Sequence, residues 1–383
     1  KEMYKDVHMR TPDTYNYFIS QGVRLCNKKG VLSYIIPNTL LSQNEYEKAR
    51  IFLTETHKLV KVINIGDNVF EDADVPTCLI FVEISSSIEY SLEYADYKEI
   101  DNSKIIWGEG LVTIPITILK DVPGHVIGVS LGNGNLMNKI SLTSIRIDDI
   151  AYEMAAGIST GCNRAFCLDQ IQIIENSIEP EILRPLIIGR DIDKYSIEWK
   201  NKYIIYTTKQ TNIRDYPNAQ KYALPYKDKL DKRRETKKGM IPWWALNWPR
   251  YEELFIGEKI IMRQTSDSIQ ATYDTENYYP LNSILTLRLN ENCGYSYKFV
   301  LGILNCKLTN WVYQNISQEK GRAFAEVKPI NVRKLYIPQI CHKDQIVYEN
   351  IVERILKVKR KDPLADISPL ESEIDRLVYQ LYG

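Results

Sequence analysis

The chain reads as an α/β protein: a small sheet with its helices, then a mixed, strand-rich region, then two closing helices. Three observations predict this. Helix and strand periodicities alternate over the first ~85 residues, short strand runs dominate from about 150 to 340, and amphipathic stripes return from about 345.

Tyr15, Phe18, Ile19, Val23 and Leu25 form a helical stripe, which Lys28-Lys29-Gly30 closes as a basic last turn followed by glycine. Val31–Ile36 is a continuous apolar run of the kind buried in a parallel sheet, and Pro37 stops it. A second helix is expected from about Asn44 to Thr56, followed by strands at Leu59–Ile65 and Thr77–Val82. Only a loop containing Val69 and Phe70 separates those strands, too short for a crossover helix, so they should be antiparallel neighbours. The order helix–strand–helix–strand–strand is the closing edge of a sheet. No glycine-rich strand-to-helix turn precedes it, so a complete nucleotide-binding domain is not expected.

From residue 85 the character changes. The β-rich runs Ile88–Tyr97 and Leu111–Leu119 are broken by Pro, Gly and Asn, and Gly132-Asn133-Gly134-Asn135 marks a turn. Residues 101–150 are therefore read as a β-rich connection between a sheet-edge domain (1–100) and a strand-rich domain (151–340). In the last stretch (341–383), Ile351, Ile355 and Val358, then Leu370, Ile374, Leu377, Val378 and Leu381, give two amphipathic stripes. Asp362-Pro363 separates them, and Ser368-Pro369 starts the second with a cap and a first-turn proline.

The length of 383 residues allows two or three domains, and 44% apolar with 26% charged residues is ordinary for a globular protein that buries a core. The seven cysteines are scattered without a Cys-x-x-Cys pair and the four histidines are isolated. That pattern indicates neither a disulfide framework nor a zinc site, and free thiols in a reducing cytoplasm are expected. No apolar run approaches the ~18 residues that a membrane span needs, and no signal peptide is evident. The formal net charge is zero, so composition gives no hint of a nucleic-acid partner.

The charge is segregated nonetheless. Between Lys200 and Arg263 there are fifteen Lys/Arg against seven Asp/Glu, while the first hundred residues lean acidic. Lys232-Arg233-Arg234-Glu235-Thr236-Lys237-Lys238-Gly239 is followed by Trp243-Trp244, Trp248-Pro249-Arg250 and Tyr251. Aromatics interleaved with cations suit base stacking and phosphate contact. A solvated basic loop beside core tryptophans is the alternative.

Several segments carry a resemblance. Gly157-Ile158-Ser159-Thr160-Gly161-Cys162-Asn163-Arg164-Ala165-Phe166, Leu186-Ile187-Ile188-Gly189-Arg190-Asp191-Ile192 and Lys202-Tyr203-Ile204-Ile205-Tyr206 come first. Trp248-Pro249-Arg250, Glu258-Lys259-Ile260-Ile261, Leu301-Gly302-Ile303-Leu304-Asn305-Cys306-Lys307-Leu308 and the ending Leu370–Gly383 follow in order. The series resembles the recognition region of TaqI-like adenine DNA methyltransferases, which recurs in fused type IIG restriction-modification enzymes. The N-terminal part is similar too. Tyr15–Ile19 resembles the helix after that family's catalytic Asn-Pro-Pro-Tyr loop, and Gly30–Asn38 and Glu45–Leu53 resemble the next strand and helix. Gly66–Phe70 with Val75–Ile80 resembles the segment whose aromatic residue packs on the flipped adenine, which makes Phe70 the candidate. An extruded base needs an apolar face to replace its lost stacking; plugging the hairpin core is the other reading of Phe70.

The resemblance implies the closing edge of a Rossmann-like methyltransferase sheet, then a DNA target-recognition domain, with double-stranded DNA as partner. Neither an Asn-Pro-Pro-Tyr nor an Asp-Pro-Pro-Tyr loop occurs, and the sequence starts Lys-Glu-Met-Tyr. The resemblance therefore implies that the catalytic loop and most of the S-adenosylmethionine site lie upstream of Lys1, that these residues alone do not methylate DNA, and that Mg2+ enters only with an upstream nuclease. Candidate DNA contacts are Thr160, Asn163, Arg164, Arg190, Lys209, Arg233, Arg234, Lys237, Lys238, Arg263, Gln264 and Arg322. Asn163 and Gln264 have the chemistry to read adenine bidentately and Arg164 to read guanine, with the other cations on phosphates. Two rival readings are a non-catalytic specificity subunit of a multi-subunit restriction system and a fragment of an RNA methyltransferase.

Overall fold

In the computed structural model the first apolar stripe folds as helix α1 (Tyr15–Leu25), burying Ile19 and Val23 and leaving Phe18 and Leu25 exposed. The structure describes residues 2–67, 69–70, 75–85, 89–98, 100, 105, 108–128, 134–317 and 325–382. Two compact units emerge, Lys1–Lys139 with Asn315–Gln318, and Ile140–Gln314 with Glu319–Gly383.

The first unit continues with β1 (Val31–Pro37), α2 (Glu47–Ile51), β2 (Lys58–Gly66), β3 (Thr77–Glu83), β4 (Ser91–Asp96), β5 (Val112–Pro115) and α3 (Ile116–Asp121). Its sheet has the order β1-β3-β2-β4-β5. β2 and β3 are antiparallel neighbours, as the short loop between them requires. β1 differs from expectation: it pairs antiparallel with β3, Val31 opposite Glu83 and Pro37 opposite Thr77. It buries only Leu32 and Ile36, and Val31 and Ile35 stay 60% and 43% exposed. An apolar run does not reveal which face is covered, because successive side chains of a strand point to opposite sides.

Two further departures follow from side chains that seek backbone partners. The helix expected over Asn44–Thr56 is a 3-10 turn, then α2, then a π-turn at Phe52–Thr56. There the Thr54 hydroxyl donates to the Arg50 carbonyl at 2.7 Å, a back-bond that competes with the regular ladder. Arg50 is buried and donates to the carbonyls of Gly124, Leu40 and Gln43 at 2.7–2.8 Å. Desolvation pushes its guanidinium down to about 10. The segment read as a connection, 101–150, includes β5, and together with β4 this strand extends the first sheet. Ile88, Gly132 and Asn133 lie outside the described residues, and Gly134 opens a helix.

That helix, α4 (Gly134–Leu142), leads to β6 (Ser144–Arg146), α5 (Ile147–Ile150), β7 (Ala151–Ala156), α6 (Asn163–Phe166), β8 (Cys167–Asp169) and α7 (Gln170–Glu175). β9 (Leu183–Ile187), β10 (Ile192–Asp193), β11 (Ser196–Ile197), β12 (Lys202–Ile205), α8 (Pro217–Ala223), α9 (Lys227–Asp231) and α10 (Arg234–Lys237) come next. Then come β13 (Lys259–Arg263), β14 (Ala271–Asp274), β15 (Tyr279–Pro280), β16 (Ile284–Leu289), α11 (Tyr297–Asn305), α12 (Lys307–Ser317) and α13 (Pro329–Val332). β17 (Tyr336–Pro338), α14 (His342–Lys361) and α15 (Ser368–Tyr382) close the chain.

Two four-stranded sheets organise the second unit, β14-β13-β16-β7 and β15-β9-β12-β8. The first is antiparallel throughout, and in the second only β15 and β9 run parallel. Ile158, Phe166, Leu186, Ile204, Leu246, Phe255 and Tyr279 share one core. A buried Lys259–Asp274 ion pair, 2.7 Å long and fully enclosed, bridges opposed residues of β13 and β14. Asp274 also accepts from the amides of Glu276 and Tyr278, and Lys259 donates to the Phe255 carbonyl. A buried pair persists only when its remaining hydrogen-bonding capacity is met in this way.

The Leu301–Leu308 motif has a packing explanation. Gly302 lets α14 come close, since a Cβ there would sit 3.0 Å from Val352 Cγ2. Asn305 pairs both amide atoms with the backbone of Ala271, capping the outer edge of β14. All seven cysteines are free thiols, and burial pushes those of Cys78, Cys167 and Cys306 up, away from reactive thiolate character. No helix among the described residues is long and apolar enough to cross a membrane. Nor is any group of three or more His, Cys, Asp and Glu among them arranged to hold a metal ion.

Candidate nucleic-acid interface

The segment after β7 runs as an extended arm. Gly157 donates its amide to Ile284 O and Ile158 to Pro280 O, at 2.9 and 2.8 Å. A Cβ at Gly157 would lie 2.3 Å from Pro280 O and 2.4 Å from Leu281 O, so only glycine permits this approach. Ser159 and Trp248 then exchange both backbone hydrogen bonds, at 3.1 and 2.9 Å. The Thr160 hydroxyl donates to Asn163 Oδ1 at 2.6 Å and accepts from the Cys162 amide at 3.1 Å, which folds the arm into the short helix α6. Gly161 is left-handed at φ +74°.

The basic segment meets this arm through Arg233. Its Nη1 donates to Thr160 O and Ala245 O at 3.1 and 2.8 Å, and its Nη2 to Trp243 O and Pro242 O at 2.9 and 3.4 Å. Its Nε donates to Leu230 O at 3.0 Å. Half-burial lowers its pKa. With its amide oriented to satisfy both neighbours, Asn247 donates to Glu235 Oε2 and accepts from Trp248 Nε1, each at 3.0 Å. Trp248 and Tyr251 nevertheless remain 50% and 84% exposed, next to exposed Arg250.

The sequence-derived candidates fall into two groups. Arg164, Arg190, Lys209, Arg234, Lys237 and Lys238 are exposed, Arg263 is half-buried, and none makes a side-chain hydrogen bond or ion pair among the described residues. Cations held without protein partners can neutralise phosphates without losing an internal contact. Thr160, Asn163, Arg233 and Gln264 are engaged internally instead. Thr160 is buried, and Gln264 donates through Nε2 to Glu326 while its Oε1 is buried and unpartnered. Bidentate reading of adenine needs both amide atoms, and Asn163 Oδ1 and Gln264 Nε2 are already committed in this structure. Arg322 lies outside the described residues.

Sequence reading missed the Lys259–Asp274 pair and the clasp formed by Arg233. A Lys and an Asp fifteen residues apart are unremarkable until a hairpin register sets them opposite each other. The arginine cluster gave a signal for binding but none for which member would turn inward.

In the first unit, Val69 packs with Ile63, Ile65, Ala95 and Tyr97, whereas Phe70 is 47% exposed. Where β1, β2 and β4 end, Asn38 Nδ2 donates to Asn64 Oδ1 at 3.1 Å, and Asn64 Nδ2 donates to Asp96 Oδ1 at 3.2 Å. The Tyr94 hydroxyl adds a bond to Asp96 Oδ2 at 3.0 Å. This polar chain ties the sheet end from which the Phe70 segment leaves.

Residues 184–337 match the model of the TaqI-like C-terminal specificity domain, and residues 1–70 that of the Eco57I restriction-modification methylase. The chain is 21% identical over 309 residues to Type II methyltransferase M.BstVI of Geobacillus stearothermophilus, covering 74% of this chain and 54% of that protein. It is 23% identical over 397 residues to Type II restriction enzyme and methyltransferase RM.Eco57I of Escherichia coli, covering 90% of this chain and 38% of that protein. The chain thus spans about half, or less, of the length of these relatives. Its fold is similar to that of the Type IIL restriction-modification enzyme MmeI, solved in complex with DNA. That likeness has a TM-score of 0.61 and 12% identity, covering 96% of this chain and 49% of the other. The chain is therefore similar to restriction-modification methylases in two separate stretches, residues 184–337 matching the TaqI-like C-terminal specificity domain and the first seventy residues matching the Eco57I restriction-modification methylase.

Proposed function

We propose that this chain is the target-reading part of a restriction-modification adenine-N6 DNA methyltransferase that acts on double-stranded DNA. The observation that carries the reading is a coincidence of place. The specificity-domain match covers the basic, aromatic-rich stretch 200–263 and Arg190, and within it the cations Arg190, Lys209, Arg234, Lys237, Lys238 and Arg263 have no protein partner among the described residues. In this reading those cations fix the duplex by its phosphates, and exposed groups around α6 and Trp248 read base edges. The methylase match over residues 1–70 favours this over a non-catalytic specificity subunit.

Phe70 is assigned to the flipped-base pocket. Its exposure beside a well-packed Val69 supports the assignment over the hairpin-plug alternative. S-adenosylmethionine would supply the methyl group, but the described residues do not fit a site for it. The glycines nearest β1, Gly22 and Gly30, are closed in by Tyr34 and by the Asn27 carbonyl, and cradle no cofactor. Methyl transfer by the described residues alone is not expected.

The test is a comparison of double-stranded DNA and RNA binding in a low-salt mobility-shift assay. DNA should bind more tightly, and the affinity should fall steeply with salt, by a slope near −0.9 per phosphate neutralised. Equal binding of RNA, or a flat salt response, would remove the proposal.

A further inference from the structure

Among the cations of Lys232–Lys238, Arg233 alone turns all its donors inward among the described residues. A guanidinium carries five N–H groups. Those of Arg233 end on the carbonyls of Leu230, Thr160, Ala245, Trp243 and Pro242, three of them at 3.0 Å or less. The joint is tight on the other side as well. A Cβ on Gly161 would lie 2.5 Å from Arg233 Cδ, and Gly161 holds a left-handed φ of +74°. From this joint emerge the exposed Asn163 and Arg164 on one strand of chain and the exposed Trp248 on the other. The reciprocal Ser159–Trp248 backbone pair locks the two strands together.

We propose that Arg233 is a positioning residue for sequence reading: it clasps the Gly161 turn to the Pro242–Ala245 segment, so that Asn163, Arg164 and Trp248 form one rigid surface, and it does not touch DNA. The inference rests on the DNA-reading function proposed above. The physical reason is a difference in tolerance. A base-edge contact needs its donor held to about 0.5 Å, and a supporting shell that locks it there. A phosphate contact tolerates a loose lysine or arginine. A charge spent on five carbonyls in a half-buried joint contributes to the first and not to the second. Arg234 and Lys237, one and four residues on and without partners among the described residues, have the opposite character.

The experiment is selection of bound duplexes from a randomised double-stranded library, using the full chain, with the salt dependence of binding measured in parallel. If the unaltered chain enriches no motif, the DNA-reading function itself falls. If it does enrich one, R233K, which keeps the charge but not the fork, should lose at least tenfold of that enrichment with its salt slope unchanged. R234Q and K237Q should keep the motif and each lose about one phosphate's worth of slope. Full enrichment by R233K, or a slope reduced by about one in R233Q, would overturn the clasp. Should R233K fail to melt cooperatively, G161A replaces it, because its methyl group presses on the same joint while leaving the arginine in place. Undiminished enrichment by G161A overturns the proposal in the same way.

Discussion

Phe70 and Val69 leave β2 side by side and meet different surroundings. Val69 joins the small cluster of Ile63, Ile65, Ala95 and Tyr97, and Phe70 keeps nearly half its surface in solvent. A large aromatic left exposed next to a packed neighbour contributes little to folding, so truncating it should be mild for stability. In an enzyme that includes the whole methylase domain, Phe70→Ala should lower methyl transfer about tenfold or more, the worth of one base-stacking contact, while DNA affinity changes little. Equal loss of transfer and binding, or a clear drop in melting temperature, would make it a packing residue. The residue type and its place after the second strand were legible in the sequence. Its exposure was not, because apolar residues adjacent in a loop have no periodicity that assigns one inward and one outward.

At the scale of elements, the β13–β14 hairpin is held by charge as well as by backbone. Lys259 and Asp274 face each other in register inside a closed core. Burial lowers the lysine and raises the aspartate, and their mutual attraction opposes both shifts. Lys259→Met should destabilise by about 3–5 kcal/mol, since it strands a buried carboxylate. A K259M/D274L double variant should recover most of that loss, because well-packed apolar side chains can replace a buried pair. Urea denaturation of both variants checks this, and a single variant within about 1 kcal/mol of the parent would show the pair to be dispensable. Sequence periodicity located β2, β3, α14 and α15 well, because each has a single dominant face or a short connection. It failed for β1, whose unbroken apolar run looked doubly covered yet packs on one side only. It marked the β-rich runs that become β4 and β5 but not their membership of the first sheet, which cross-strand pairing decides.

For the molecule as a whole, the two units should differ in their response to acid. His57 and His125 both lie in the first unit, and burial, the larger effect on each, holds both below the ordinary histidine value of 6.5. His125 has Nδ1 2.8 Å from Thr54 Oγ1 and Nε2 3.5 Å from the Glu55 carboxylate, which pulls the other way without prevailing. Lys120 and the buried Arg50 act against protonation, while Glu47 favours it. A folded value below the unfolded one means that the unfolded chain takes up the proton first. The stability contribution is therefore complete above pH 6.5 and is lost as pH falls below it. Hydrogen-exchange protection in the first unit should drop more than in the second as pH falls below 6.5, and H57Q/H125Q should flatten the difference. Identical pH profiles for both units would refute it.

The order of elements, the free cysteines and the basic, aromatic-rich stretch were all determined by the sequence, because periodicity, spacing and composition are local properties of a chain. So was the resemblance that places a specificity domain after a methylase edge, since it rests on the order of motifs. Only the tertiary structure decided which charges are available. Arg233 and Lys259 are spent inside the protein, whereas Arg234, Lys237 and Lys238 face solvent without a partner among the described residues. A side chain's role depends on which distant carbonyls and carboxylates the fold brings within about 3 Å of it, and no neighbour in sequence carries that information.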